Sequence, residues 1–170
     1  TSEERFLSIA RFSHLWGLCA YCMALWVGAA HVLLPHFSSE AFAEAVARGG
    51  ATVAVGAPSH VAALLATPGL RTADLSSLRF FALSGSVCPP PLARSLKASI
   101  GSTPLMLWGM TETGMGLHTR PDDPPEVIEQ TVGSPSRGCT IAVLNDRGLP
   151  LPPEVEGELA IKTPFSFDGY

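Results

Sequence analysis

An α/β fold is predicted, a doubly wound, mostly parallel sheet followed by a small antiparallel β subdomain, and three observations predict it. Short apolar runs alternate with helix-length segments through residues 1–118, the β-α-β-α rhythm of a parallel sheet. The connections are short, with proline at helix starts and glycine at helix stops, the order those residues take in αβ units. Beyond Gly116 the pattern changes to alternating residues separated by turn formers, which suits antiparallel strands. These shifts divide the chain into an α/β part (1–118), a connector (119–138) and the start of a β subdomain (139–170).

Residues 1–11 carry neither an initiating Met nor a domain-opening signal, and no element is assigned to them. Ser13 is placed to cap a helix over 14–27 that is apolar on nearly every face, and His31-Val32-Leu33-Leu34 reads as a buried strand stopped by Pro35. Residues 15–34 hold no formal charge and could span a bilayer by length. Gly17 and Gly28 interrupt them, His31 lies among them, and no Lys/Arg cluster follows. A buried helix running into a buried strand accounts for the same letters, so no transmembrane span is expected.

Ser38 or Ser39 with Glu40 opens an amphipathic helix to Ala47, closed by Gly49-Gly50. Residues 51–55 form a second strand. Pro58 starts a helix that runs to about Ala66 and stops at Pro68-Gly69. Residues 78–83 are a third strand delivering Ser84-Gly85-Ser86 into a loop. Pro89-Pro90-Pro91 starts the next helix, through Ile100, and residues 103–107 are the fourth strand. Arg120-Pro121-Asp122-Asp123-Pro124-Pro125 reads as an exposed connector.

Composition excludes some functions. The chain is 15% charged with a net charge of −4, so it lacks the basic stripe of a nucleic-acid binder. Cys19-x-x-Cys22 sits in an apolar run without a second pair at metal-ligand spacing. The four cysteines are therefore read as ordinary thiols in a reducing, cytoplasmic setting.

The chemistry concentrates at the end of the fourth strand, in Trp108-Gly109-Met110-Thr111-Glu112. Gly109 lets the backbone turn tightly, Thr111 supplies a hydroxyl, Glu112 a carboxylate and Trp108 a flat face. Two readings fit. One is a phosphate position bridged to Glu112 by Mg²⁺, with an aromatic shelf for a base. The other is a helix start, with Thr111 capping and Glu112 favouring the dipole.

These five residues resemble the Tyr/Trp-Gly-x-Thr-Glu motif of the adenylate-forming superfamily, and three further blocks agree in order. Ser13-His14-Leu15-Trp16-Gly17 resembles its aromatic/His-x-x-Gly block. Leu83-Ser84-Gly85-Ser86-Val87-Cys88-Pro89-Pro90-Pro91-Leu92 resembles its Gly-Gly-Ala-Pro-Leu loop. Gly157-Glu158-Leu159 through Gly169-Tyr170 resembles its Gly-Glu-Leu…Gly-Tyr block. The resemblance implies ATP (as bound AMP after reaction), Mg²⁺ and coenzyme A as ligands, and a small carboxylic acid as substrate. It places Gly85, Ser86 and Val87 on one side of adenine and Trp108 on the other, with Gly109 and Met110 also among the nucleotide-binding residues. Thr111 would bond the α-phosphate, and Glu112 would hold the metal; these two are the candidate catalytic residues. His14, Trp16, Gly17, Gly85, Gly109 and Met110 would line the acyl pocket. Among subfamilies, the resemblance runs to acyl-CoA synthetases for alicyclic or medium-chain fatty acids.

The departures matter too. Ser84-Gly85-Ser86 stands for Gly-Gly-Ala, and Ser136-Arg137-Gly138 for x-Pro-Gly. The family's Pro-Lys-Gly phosphate loop, its ribose-binding Thr-Gly-Asp and its lysine-bearing C-terminal domain are not in these residues. The expectation is a central fragment of a ligase's large domain, inactive alone and needing its flanks, with a non-catalytic binding module as the alternative. Everything turns on one spatial expectation, that the loops near 85 and 110 face each other across a nucleotide-sized gap.

Overall fold

The computed structural model describes residues 1–170, the side chain of Arg71 excepted. A seven-stranded sheet has the order β2-β1-β3-β4-β5-β6-β7, and a two-stranded sheet pairs β8 with β9. Strands β1 (Arg5–Ser8), β2 (Ala30–Val32), β3 (Val53–Gly56), β4 (Phe80–Leu83) and β5 (Thr103–Met110) are all parallel. β6 (Gly114–His118) and β7 (Ser134–Pro135) are antiparallel additions, and β8 (Thr140–Leu144) pairs antiparallel with β9 (Glu158–Lys162). The α/β class and the small antiparallel unit are as predicted.

Alternation along each strand decides the layers. Leu7, Ala54, Phe81 and Leu83 join one core with Phe42 of α2 (Ser39–Gly49), Val61 and Leu64 of α3 (Pro58–Ala66) and Leu96 of α4 (Pro90–Ile100). Val55 and Ala82 point the opposite way, onto Trp16 and Ala20 of α1 (Leu15–Val27). One helix thus covers one face and three cover the other, which is what double winding means. The cores hold these layers by apolar burial, about 25 cal/mol per Å² removed from water.

Four expectations are corrected. β1 lies in residues to which no element was assigned, because Phe6-Leu7 is too short an apolar run to announce a strand. It is nonetheless internal, between β2 and β3, and Glu4 at its entrance accepts hydrogen bonds from Arg79 and from the Thr52 hydroxyl (2.5 Å). Those bonds, the one from Arg79 foremost, hold the Glu4 carboxyl below its usual range. Second, the strand expected to end at Leu107 continues to Met110 and enters a tight turn, with Thr113 N–H bonded to Met110 O at 3.2 Å, before returning as β6. Neither a helix nor an open loop follows. Third, the connector contains a short helix, α5 (Pro125–Gln130). Fourth, α1 is not wholly buried: Trp16, Gly17, Ala20 and Ala24 face the sheet, whereas Trp26 is 91% exposed. Among the described residues no second helix packs over its outer side, and an unpartnered helix face stays exposed. Among the described residues, no helix is long and apolar enough to cross a membrane.

His31 on β2 carries a testable cost. Both ring nitrogens are buried without a hydrogen-bond partner, and the ring packs edge-on to Phe12 (5.2 Å) and Tyr21 (6.0 Å). Burial lowers its pKa, so the folded state holds a neutral imidazole that the unfolded chain protonates more readily. The unfolded state then binds more protons, and stability falls as pH drops below about 6.5. Replacing an unsatisfied polar ring by an apolar one of similar shape removes a penalty of about 1 kcal/mol or more. His31→Phe is expected to raise the unfolding midpoint and to flatten its dependence between pH 7 and 5, read by denaturant titration across that range.

Candidate active site

Strand order places the site. From β1 the chain leaves over one face through α1, and from β3 it leaves over the other through α3, so the sheet has a switch point between them. Crevices form outside the carboxyl ends of strands at such a point. One is present here: a cavity of ≈ 930 Å³ lined by residues following β1 (Ala10, Arg11, Phe12), β2 (Leu34, Phe37), β3 (Ala57, His60) and β4 (Ser84, Gly85), with His14 and Trp16 of α1. Its size suits a small-molecule ligand.

His14 is the N-cap of α1, the position expected for Ser13. Its Nδ1 accepts the Trp16 backbone N–H at 3.1 Å, and the residue lines the cavity. Capping and facing a ligand are therefore compatible. Trp16 is 4% exposed and donates from Nε1 to the Gly56 carbonyl at 3.0 Å, tying α1 to the end of β3. Gly17 does not reach the cavity. A Cβ there would meet the Arg11 carbonyl oxygen and stand 2.6 Å from that of Ala10, so glycine allows α1 to lie directly on the chain leaving β1. Gly85 has φ +90°, open space around the Cβ position and a place on the cavity wall. It is required by backbone conformation rather than by crowding. Ser86 and Val87 are exposed on the same loop.

The second predicted loop rises from the next strand. Leu83 of β4 pairs with Met106 of β5, so Gly85 and Trp108 leave the parallel sheet at one edge on adjacent strands. Trp108 to Glu112 do not line the cavity; they form the hairpin on its far side, beyond Gly85. The register shifts between Trp108 and Gly109, a bulge of the kind that re-aims side chains beside ligand sites. A Cβ on Gly109 would run into the Gly114 carbonyl oxygen, so glycine lets the two strands close. Trp108 is half-buried. Its indole lies across Gly116, where a Cβ would be 3.2 Å from Cζ3 and 2.5 Å from Cδ1 of Ile161 on β9. Met110 and Thr111 are exposed.

Glu112 sits in the turn, with its carboxylate accepting the Tyr170 hydroxyl at 2.5 Å and its carbonyl the Phe167 N–H at 3.1 Å. The Tyr170 bond holds the carboxyl below its ordinary range, so it is ionised at neutral pH. A single exposed carboxylate next to a hydroxyl suits Mg²⁺, which takes one or two protein carboxylates and completes its shell from phosphates and water. Among the described residues no cluster of three acidic, His or Cys side chains could hold a metal alone. Glu112 could therefore offer a metal one protein oxygen, with the rest of the shell drawn from other ligands.

The sequence reading missed two parts of this site. Leu34, Phe37 and His60 line the cavity, yet they lie in ordinary strand-end and helix-start positions with no motif around them. The segment after β9 packs Phe165 against Gly114 and brings Tyr170 to Glu112, a contact between residues 58 apart that no local pattern signals.

Known proteins share this fold and sequence pattern. The family profile described as AMP-binding enzyme matches residues 1–170. The chain is 33% identical to the medium-chain fatty-acid–CoA ligase of Escherichia coli, with 100% of this chain and 30% of that protein covered. It is also 33% identical to the salicyl-AMP ligase / salicyl-S-ArCP synthetase of Mycobacterium tuberculosis, over 86% of this chain and 26% of that one. Among solved structures, the amide bond synthetase McbA of Marinactinospora thermotolerans superposes with a TM-score of 0.90 at 30% identity, covering 100% of this chain and 34% of that one. The chain thus spans about a third or less of these relatives. Switch-point cavity, paired loops and matching profile agree, and the chain belongs to the adenylate-forming, AMP-binding enzyme family.

Proposed function

We propose that the protein activates a small carboxylic acid with ATP as an acyl-adenylate and passes the acyl group to coenzyme A. The supporting observation is the delivery of the Gly85 and Trp108 loops from adjacent parallel strands beside one large, mostly apolar cavity. Adenine lies between Gly85-Ser86-Val87 and Trp108, with Gly109 and Met110 behind it. Thr111 donates to the α-phosphate. Glu112, kept anionic and held by Tyr170, supplies the protein oxygen for Mg²⁺, whose chemistry when bound is charge neutralisation of the phosphates. The acid enters the cavity past His14, Trp16 and Gly85, its carboxylate directed toward Met110 and Thr111.

In the first half-reaction a carboxylate oxygen attacks the α-phosphorus, the bond to the bridging oxygen breaks, and pyrophosphate leaves. The protein contributes position and fixed charge rather than a nucleophile. In the second, the thiol sulfur attacks the acyl carbonyl and AMP departs, with the thiol proton released to solvent. The apolar lining supports a fatty or alicyclic acid, as does likeness to a fatty-acid–CoA ligase. Likeness to a salicyl-S-ArCP synthetase and an amide bond synthetase favours, as a second reading, transfer to a carrier thiol or an amine. Four unpaired cysteines support a reducing, cytoplasmic setting.

The test is pyrophosphate release by the full-length protein across a panel of acids, followed by loss of the adenylate on adding coenzyme A, a carrier protein or an amine. Failure of every acid to release pyrophosphate would end the enzyme reading; discharge by an amine alone would replace coenzyme A. Trp108 is tested separately. Trp108→Ala is expected to weaken ATP binding by about 1–3 kcal/mol, the worth of one base–aromatic stack, read by calorimetry. An unchanged Kd would leave the indole as packing against Gly116 and Ile161 only.

A further inference from the structure

His60 has no part in the chemistry above, yet it stands in the wall of the same cavity. It is the third residue of α3, and its Nδ1 accepts the Ala57 backbone N–H at 3.0 Å. A ring nitrogen that accepts from a backbone N–H carries no proton, so the neutral ring carries its hydrogen on Nε2. Phe37 packs edge-on against the ring at 4.8 Å between centroids and limits its rotation. Nε2 has no partner among the described residues. Unlike the sealed nitrogens of His31, it is not closed off from accessible space, and its residue faces the cavity. The residue thus stands in a cavity wall that also holds Ile9, Leu34, Phe37 and Ala57, of which Phe37 packs on the ring and Ala57 donates to it.

We propose that His60 is a specificity-determining hydrogen-bond donor of this cavity, selecting acids whose tail bears an acceptor oxygen (ketone, ether or hydroxyl) over plain alkanoates. The inference rests on reading the cavity as the acyl site. Burial lowers the His60 pKa, so the ring remains a neutral donor near pH 7. An alkyl chain filling the cavity would strip water from Nε2–H and return no bond. An oxygen at the right carbon replaces that water, a difference worth about ten- to a hundredfold in kcat/KM.

The experiment compares each n-alkanoate with its positional oxo-alkanoates of equal length, using pyrophosphate release by the full-length protein. Wild type is expected to favour one oxo isomer at least tenfold. His60→Gln keeps both a cap for the Ala57 N–H and an amide donor, and should retain most of that preference. His60→Leu should lose it, so that each oxo isomer and its alkanoate are turned over alike. No preference at any position, or a preference surviving in His60→Leu, overturns the proposal. A second readout does not need turnover. In the full-length protein labelled with ¹⁵N-histidine, His60 should show the Nε2–H tautomer, and its Nε2 signal should move with the oxo acid but not with the alkanoate. An Nδ1–H tautomer, or an unmoved signal, overturns the proposal. Turnover without preference defeats the donor and leaves the enzyme reading standing. A moved signal without adenylation of any acid defeats the enzyme reading and leaves the donor.

Discussion

Glu112→Gln in the full-length protein is expected to lower acyl-adenylate formation by about 10²–10³-fold, the usual loss on removing one fixed charge-stabilising group from a reacting centre. The substitution keeps size and hydrogen-bonding capacity but removes the anion. Glu112 lies in the Met110–Gly114 turn with its side chain bonded to the Tyr170 hydroxyl rather than packed in a core, so the change should leave the fold intact. The measurement is pyrophosphate exchange as a function of Mg²⁺ concentration, and the variant should need more metal for half-maximal rate. An unchanged rate and metal dependence would remove Glu112 from the metal and leave it a turn residue tied to Tyr170.

Gly17→Ala is expected to cost the largest stability of any single methyl added beside the cavity, about 3 kcal/mol. A Cβ at this position falls on the carbonyl oxygens of Ala10 and Arg11, and these are backbone atoms that cannot rotate away. Relief requires α1 to lift from the chain after β1, which would pull Trp16 from Gly56 and open the cavity. Thermal unfolding should show a midpoint lower by roughly 10 °C, with weaker binding of acid accompanying it. A variant as stable as wild type would mean that α1 shifts freely, and that the cavity floor is softer than its packing suggests.

Both expectations arise from residues that a motif names without explaining. In His14-x-x-Gly17 the pattern marks two positions, and the contacts assign them: His14 caps α1 and faces the cavity, while Gly17 lets the helix approach. Gly85 and Gly109 divide the same way. Gly85 is needed for φ +90° with open space beside it, and Gly109 because the Gly114 carbonyl occupies the place a Cβ would take. The letters are alike. Conformational and steric reasons for glycine differ only in three dimensions.

Taken by itself, the chain determined what depends on near neighbours. Periodicity and end signals disclosed α2, α3 and α4, with Ser38 or Ser39 opening and Gly49-Gly50 closing the first, and Pro58 and Pro89-Pro90-Pro91 starting the other two; the fold settles the caps at Ser38, Gly50 and Gly101. The same signals disclosed four of the five parallel strands, because each is an apolar run between turn formers. The four motif blocks disclosed the family, since ligand chemistry constrains short contiguous segments. Tertiary structure alone decided the rest. It inserted β1 into the sheet beside β3 and so created the switch point beneath the cavity. It also folded the chain after Trp108 back as a hairpin, brought Tyr170 to Glu112 and set His60 in the cavity wall. Each of those is a contact between residues far apart in the chain, where position follows from packing of whole layers and leaves no local pattern to read.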